Sequence, residues 1–248
     1  MRTVAAAAVA AALLGSCGGG AGARTGGGAT VFAASSLTES FTALARAARS
    51  SRGLSLTFDF AGSQQLAAQV EQGAPADVVA AADGATLERL RRAGRLVGTP
   101  VAFATNRLEI VVRRGNPAHV AGLADLARPG MKVVLADRRV PAGGYAAQAL
   151  ARAGVVVHPV SLEDNVKGVV TKVGLGEADA GIAYVTDLRS AGATVAGVRI
   201  VEAEQIVATY TAAVVKDAPH PVPARSFLAL LRSPAGQAVL HRFGFGPP

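Results

Sequence analysis

The stretch Ala29–Arg49, ATVFAASSLTESFTALARAAR, changes its periodicity within a few residues. Its first part, Ala29–Ala34, consists of apolar and β-branched residues and predicts a buried strand. Two serines follow, and apolar residues then recur at helical spacing, which predicts an amphipathic helix over Leu37–Arg49. A strand that leads directly into a helix is the opening of a βαβ unit, so the stretch predicts an α/β fold.

The same alternation continues to the end of the chain, with strands and helices bounded by turn residues. Further strands are predicted over Leu54–Phe60, Asp77–Ala82, Leu108–Val112, Lys132–Ala136, Ala180–Tyr184 and Ile206–Val215. Further helices are predicted over Ser63–Gly73, Gly84–Ala93, Gly143–Ala153, Ser161–Leu175, Asp187–Ala191, Ala224–Leu231 and Ala235–Phe243. We predict a mostly parallel sheet in two α/β lobes joined by two hinge crossings. Lobe I comprises residues 29–104 plus 209–248, and lobe II comprises residues 105–208.

The N-terminal residues indicate export. Residues 1–16 carry Arg2 and then an apolar run that is too short to span a bilayer but typical of a signal peptide. Leu14-Gly15-Ser16-Cys17 resembles a bacterial lipobox, which predicts lipidation of Cys17 and an anchor on the outer face of the cytoplasmic membrane. Residues 17–28 are Gly-rich and predict a flexible tether. The alternative is ordinary signal-peptide cleavage, which would release a soluble periplasmic product.

The composition excludes several classes of protein. The chain has 248 residues, of which 50% are hydrophobic, so disorder is excluded. One Cys allows neither an internal disulfide nor a Cys-based zinc site. The net charge of +8 comes from scattered Arg without interleaved aromatic residues, which argues against nucleic-acid binding. No nucleophile elbow, P-loop or dinucleotide fingerprint is present, so we predict neither an enzyme nor a bound cofactor.

Four strand-to-helix junctions offer hydroxyls and backbone amides but few charges. They contain Ser36, Ser63, the turn Val140–Tyr145 and the segment Ser161–Lys167. Helix N-termini beyond the C-terminal ends of strands bind anions, so together these donors predict a site for a fully ionised oxyanion. For each serine alone, the alternative is an ordinary helix N-cap.

Several stretches, in this order, resemble the bacterial molybdate-binding proteins of ABC transporters. They are Val31–Leu37, Phe60–Ser63, Gln69–Val78, Val140–Ala146, Gly176–Tyr184 and Arg242–Phe245. The resemblance covers essentially the whole mature chain. It implies a type II periplasmic-binding-protein fold that closes two lobes on a tetrahedral oxyanion.

The resemblance also implies which residues contact the anion. Ser36 and Ser63 match the hydroxyl donors of the first lobe, and Tyr184 matches a phenol donor. Ala142 and Val166 match the backbone-amide donors of the second lobe, although a shift of one residue would replace Val166 by its neighbour Asn165. Molybdenum is expected only within the bound oxyanion, without direct protein ligands. The nearby acidic residues are Glu163 and Asp164, and we interpret them as solvent-exposed residues at the start of a helix.

The expected function is therefore capture of molybdate, and of tungstate, by a monomeric protein outside the cytoplasmic membrane, followed by delivery to an ABC permease. One alternative is a binder of sulfate or phosphate. Another is the ligand-sensing half of a transcription regulator, which would need a DNA-binding segment where the signal peptide stands. A hydrolase is the remaining alternative, and it lacks a nucleophile–base pair.

Overall fold

A computed structural model describes residues 28–248 as an α/β protein. The strands are β1 (Gly28–Ala34), β2 (Ser55–Ala61), β3 (Val78–Ala81), β4 (Leu96–Arg113), β5 (Val133–Ala136), β6 (Ser161–Glu163), β7 (Ala180–Tyr184), β8 (Val195–Arg199) and β9 (Val207–Val215). The helices are α1 (Thr38–Arg52), α2 (Ser63–Glu71), α3 (Gly84–Arg92), α4 (Pro141–Arg152), α5 (Val166–Leu175), α6 (Val185–Ala191), α7 (Pro221–Arg232) and α8 (Pro234–Arg242). The predicted signal peptide, Cys17 and nearly all of the predicted tether lie outside the described residues.

The strands follow the order β2-β1-β3-β9-β4-β7-β5-β6, and β8 also pairs with β4. At the two ends of this order, β1 lies parallel to β2 and β3, and β5 lies parallel to β6 and β7. The middle strands, β9 and β4, run antiparallel to their neighbours. The prediction of a mostly parallel sheet is therefore wrong at the centre, because the strands that connect the two halves run against the others.

Strand β4 is 18 residues long and belongs to both halves of the molecule. Its first part pairs with β9 as far as Arg107↔Val207, and its last part pairs with β7 and β8. The crossings between the lobes are thus two paired strands. The lobe boundaries at residues 104/105 and 208/209 fall inside this ribbon, and they stay a prediction.

Three parts of the predicted secondary structure are wrong. Strand β4 begins at Leu96, twelve residues before the predicted start. The early part was missed because it contains Gly98 (φ 70°) and Pro100, which are unusual in strands, and because its register with β9 shifts twice. Strand β8 has no predicted counterpart. The predicted helix Ser161–Leu175 divides into β6, which pairs with β5, and α5, which begins only at Val166.

The core of the first lobe contains a cluster of aromatic rings. The Phe41 ring lies 5.8 Å from Phe58, 5.9 Å from Phe103 and 5.3 Å from Phe227, measured between ring centroids. Rings at these separations contribute about 0.5–1.5 kcal/mol per pair beyond the area they bury. The cluster joins α1 and α7 to β2 and β4 and so fixes the position of the first helix.

None of the helices within residues 28–248 has both the length and the apolar character needed to cross a bilayer.

Candidate functional site

A small cavity lies between the lobes, at the ends of β1, β2, β3 and β7. All five predicted contact residues line it, and they are Ser36, Ser63, Ala142, Val166 and Tyr184. Each of the five is at most 4% exposed. The structure therefore brings together residues that lie up to 148 positions apart in the sequence.

Three helices begin at the cavity. Ser63 is the first residue of α2, Ala142 is the second residue of α4, and Val166 is the first residue of α5. The amides in the first turn of a helix have no intrahelical partner, and the helix dipole places partial positive charge there. Three such ends around one cavity favour an anion strongly.

The two serine side chains do not cap helices. The residue before α2 is Gly62, and the Ser63 hydroxyl oxygen instead accepts a hydrogen bond of 3.1 Å from the Ala82 amide. Ser36 lies in a short 3-10 turn between β1 and α1 without a side-chain cap, and its hydroxyl lies 2.8 Å from the Tyr210 hydroxyl. The capping alternative is therefore wrong for both serines. The Ser63 hydroxyl acts as an acceptor toward Ala82, and its proton, which has no acceptor within residues 28–248, is available to the cavity.

Tyr184 ends β7 with its hydroxyl group buried. That oxygen has no hydrogen-bond partner within residues 28–248. Burial raises the pKa of the phenol well above its usual range, so Tyr184 stays protonated at any physiological pH. An unpaired buried hydroxyl costs about 1–3 kcal/mol, and a ligand that accepts its proton would remove this cost.

The structure separates the roles of Asn165 and Val166. The Asn165 side chain caps α5 by accepting from the Gly168 amide at 3.2 Å. Val166 borders the cavity and Asn165 does not. Ser35, the neighbour of Ser36, also borders the cavity, which the sequence did not predict.

Acidic residues near the cavity have partners elsewhere. Partial burial acts to raise the pKa of the Glu163 carboxyl group, but the ion pair with Lys172, at 2.7 Å, and the hydrogen bond from Ser161 together outweigh it, and the pKa is lowered. Asp83, which follows β3, caps α3. Asp77 precedes β3, at the end of that strand away from the cavity, and accepts from the Thr30 amide at 2.7 Å. No group of three His, Cys, Asp or Glu side chains in the described part of the chain could hold a metal ion.

The lobes contact each other across the cleft beside the cavity. The Gln64 side-chain amide donates to the Asp164 carbonyl at 2.9 Å, and the Lys167 ammonium lies 2.8 Å from the Glu39 carboxylate. Lys167 also lies 3.6 Å from a carboxylate oxygen of Asp187. Burial, partly offset by Lys167, raises the pKa of Asp187 to about 6, so this carboxyl group is ionised at neutral pH.

Sequence reasoning missed a group of buried polar residues behind Ser36. They are Tyr210, Asn106 and Thr186. Tyr210 and Asn106 belong to the strands that connect the lobes, and Thr186 lies in the first turn of α6. The sequence signal was a polar residue within an apolar strand, which becomes informative only when the strand pairing is known.

Two lobes joined by paired strands, with a cavity of donors between them, define a binding protein that encloses a small anion. Residues 29–246 match the family model described as bacterial extracellular solute-binding protein. The chain is 42% identical to the molybdate-binding protein ModA of Mycobacterium tuberculosis over 219 residues, which cover 88% of this chain and 84% of that protein. The chain belongs to the family of bacterial extracellular solute-binding proteins.

Solved structures show the same fold. The periplasmic molybdate-binding protein of Azotobacter vinelandii superposes with a TM-score of 0.75 at 20% identity, covering 89% of this chain and 99% of that one. The sulfate-binding protein SubI of Mycobacterium tuberculosis also gives 0.75, at 22% identity, covering 89% and 86%. These likenesses confirm the two-lobed α/β fold, and they do not distinguish one anion from another.

Proposed function

We propose that the protein captures molybdate, and also tungstate, outside the cytoplasmic membrane. The observation that carries the proposal is the cavity itself, in which the buried Tyr184 hydroxyl and two serine hydroxyls face three helix N-termini. Donors without a carboxylate acceptor suit a fully ionised dianion. The choice of molybdate among such anions rests on the 42% identity to a molybdate-binding protein.

The five predicted contact residues are buried between the lobes, so the cleft opens when an anion enters or leaves. The two connecting strands allow such a motion without breaking either lobe. We propose that the protein acts by binding alone, as a monomer without a cofactor.

Calorimetric titration of the purified protein with molybdate, tungstate, sulfate and phosphate tests the function. Molybdate and tungstate should bind more tightly than the other two anions. Their affinities should change by less than about twofold between pH 7 and pH 9, because hydroxyls and amides do not titrate there and Tyr184 stays neutral. If sulfate bound more tightly than molybdate, sulfate would be the ligand in place of molybdate. If none of the four anions bound, the proposal would be contradicted.

The site of action follows from the N-terminal residues. We propose that Cys17 is lipidated and holds the protein on the outer face of the membrane, beside the ABC permease that receives the anion. The Gly-rich residues 17–28 give the domain reach toward that permease.

Replacing Cys17 by alanine should release the protein from the membrane or leave it unprocessed, because the lipid is attached to that sulfur. Fractionation of cells that express the wild type and the variant measures the effect. The matched control is Ser16→Ala, which keeps a small residue before the cysteine and should remain with the membrane. Equal partitioning of the wild type and a Cys17 variant whose signal peptide has been removed would rule out the anchor.

A further inference from the structure

Behind the cavity, Tyr210 contacts Ser36 from the connecting strand β9. The two hydroxyl oxygens lie 2.8 Å apart, and Tyr210 is fully buried without bordering the cavity. The side-chain nitrogen of Asn106, on the paired strand β4, lies 3.4 Å from the same Tyr210 oxygen. The Tyr210 hydroxyl therefore stands between an amide and a serine that lines the cavity.

The direction of each hydrogen bond follows from Asn106. Its carbonyl oxygen accepts from the Arg107 amide at 2.9 Å, which turns its NH₂ group toward Tyr210 and toward Thr186, at 2.8 Å. An NH₂ group donates and cannot accept, so the Tyr210 proton has Ser36 as its acceptor. A buried hydroxyl proton without an acceptor would be costly. The Ser36 oxygen thus accepts from Tyr210, and its own proton points into the cavity.

Aromatic rings hold Tyr210 in this orientation. Its ring centroid lies 5.3 Å from Phe245, 5.8 Å from Tyr184 and 6.2 Å from Phe103. The three contacts come from the C-terminal segment, from β7 and from β4. The phenol is therefore fixed by packing as well as by its hydrogen bonds.

We propose that Tyr210 and Asn106 are positioning residues that make Ser36 an obligate donor to the bound anion, an inference that rests on the proposed oxyanion function. Ser63 reaches the same state by accepting from the Ala82 amide. Each serine oxygen then has one of its two lone pairs occupied, and its proton is directed to the ligand. An anion that carries a proton of its own, such as hydrogen phosphate, is disfavoured because both hydroxyls direct protons toward it.

Tyr210→Phe tests the proposal, since it deletes the hydroxyl and keeps the ring. In the wild-type background, molybdate binding should weaken about two- to tenfold, because Ser36 is free to turn its proton away. In a Ser36→Ala background the same change should alter affinity by less than about twofold, since nothing remains for Tyr210 to orient. In the matched Ser63→Ala background the full effect should return. Competition titrations should also show a smaller preference for molybdate over hydrogen phosphate, which a general loss of folding would not produce.

The positioning role would be overturned if Tyr210→Phe reduced molybdate affinity equally in the Ser36→Ala and Ser63→Ala backgrounds. It would also be overturned if Tyr210→Phe caused no loss of affinity in the wild-type background. Either result would leave the oxyanion function standing. A wild type that binds none of the anions would overturn both. Thermal unfolding without ligand shows whether Tyr210→Phe remains folded. If it does not, Asn106→Leu provides a second test, because it removes the amide that directs the Tyr210 proton and should show a smaller loss with the same dependence on Ser36.

Discussion

Tyr184→Phe should weaken molybdate binding by about ten- to more than a hundred-fold. The change removes one hydroxyl that has no other partner within residues 28–248, and a charge-assisted hydrogen bond is worth roughly 1.5–3 kcal/mol. Ser36→Ala and Ser63→Ala should act in the same way, and the losses are measured by calorimetric titration. Each variant should also lose part of the thermal stabilisation that molybdate confers.

The matched control for the serines is Ser40→Ala. Ser40 is equally buried, but its hydroxyl donates to the Leu37 carbonyl, just before the first helix, at 3.0 Å and does not border the cavity. Its loss should change stability and leave affinity intact. If Ser40→Ala weakened binding as much as Ser63→Ala, the effect would come from disturbed packing, and the hydroxyls would not be donors to the anion.

Gly62→Val should reduce affinity by at least about a hundred-fold, and Gly62→Ala by about tenfold. A Cβ atom at this position would lie 2.5 Å from the Asp164 carbonyl oxygen of the opposite lobe and 2.6 Å from the end of the flexible Gln64 side chain, which can turn away. Overpacking of this kind costs about 1–3 kcal/mol for small additions and more for larger ones. Because opening the cleft removes the clash, the unliganded variants should keep a melting temperature close to that of the wild type.

Gly122→Val is the matched control, since Gly122 has extended backbone angles and a Cβ atom there would meet no other atom within 4 Å. It should leave affinity unchanged. A contrasting variant is Gly143→Ala, whose Cβ atom would collide with the Asp137 carbonyl of the same lobe, so that opening cannot relieve the clash. Unaltered affinity in Gly62→Val would show that the lobes do not approach each other at this point when the anion is bound.

That these residues would line one cavity was predictable, because they follow strands with clear patterns. Ser36 and Ser63 come directly after β1 and β2, and the carboxyl ends of parallel strands meet at one edge of a sheet. The choice of Val166 over Asn165 depended on where α5 begins, and the acidic residues before it obscured that start. Helix boundaries are set by local capping, which a single sequence indicates only weakly.

Other features depend on tertiary pairing. The full length of strand β4 could not be predicted, because Gly98 and Pro100 interrupt the strand pattern of its sequence. The strand continues past both residues because it pairs with β9 on either side of them. The contact between Tyr210 and Ser36 joins residues 174 positions apart, and no local spacing encodes it. The sequence therefore predicted the groups that face the cavity better than the groups that stand behind them.

The position of Lys167 between two carboxylates lowers the electrostatic cost of opening the cleft. When the lobes separate, the ammonium leaves Glu39 but keeps Asp187, which belongs to its own lobe. The buried Asp187 carboxylate therefore keeps its positive partner throughout. The Glu39 carboxylate, whose side chain is already 37% exposed, becomes hydrated when Lys167 leaves it. Opening then exchanges one ionic partner for solvent at small cost, so this ion pair between the lobes does not lock the cleft.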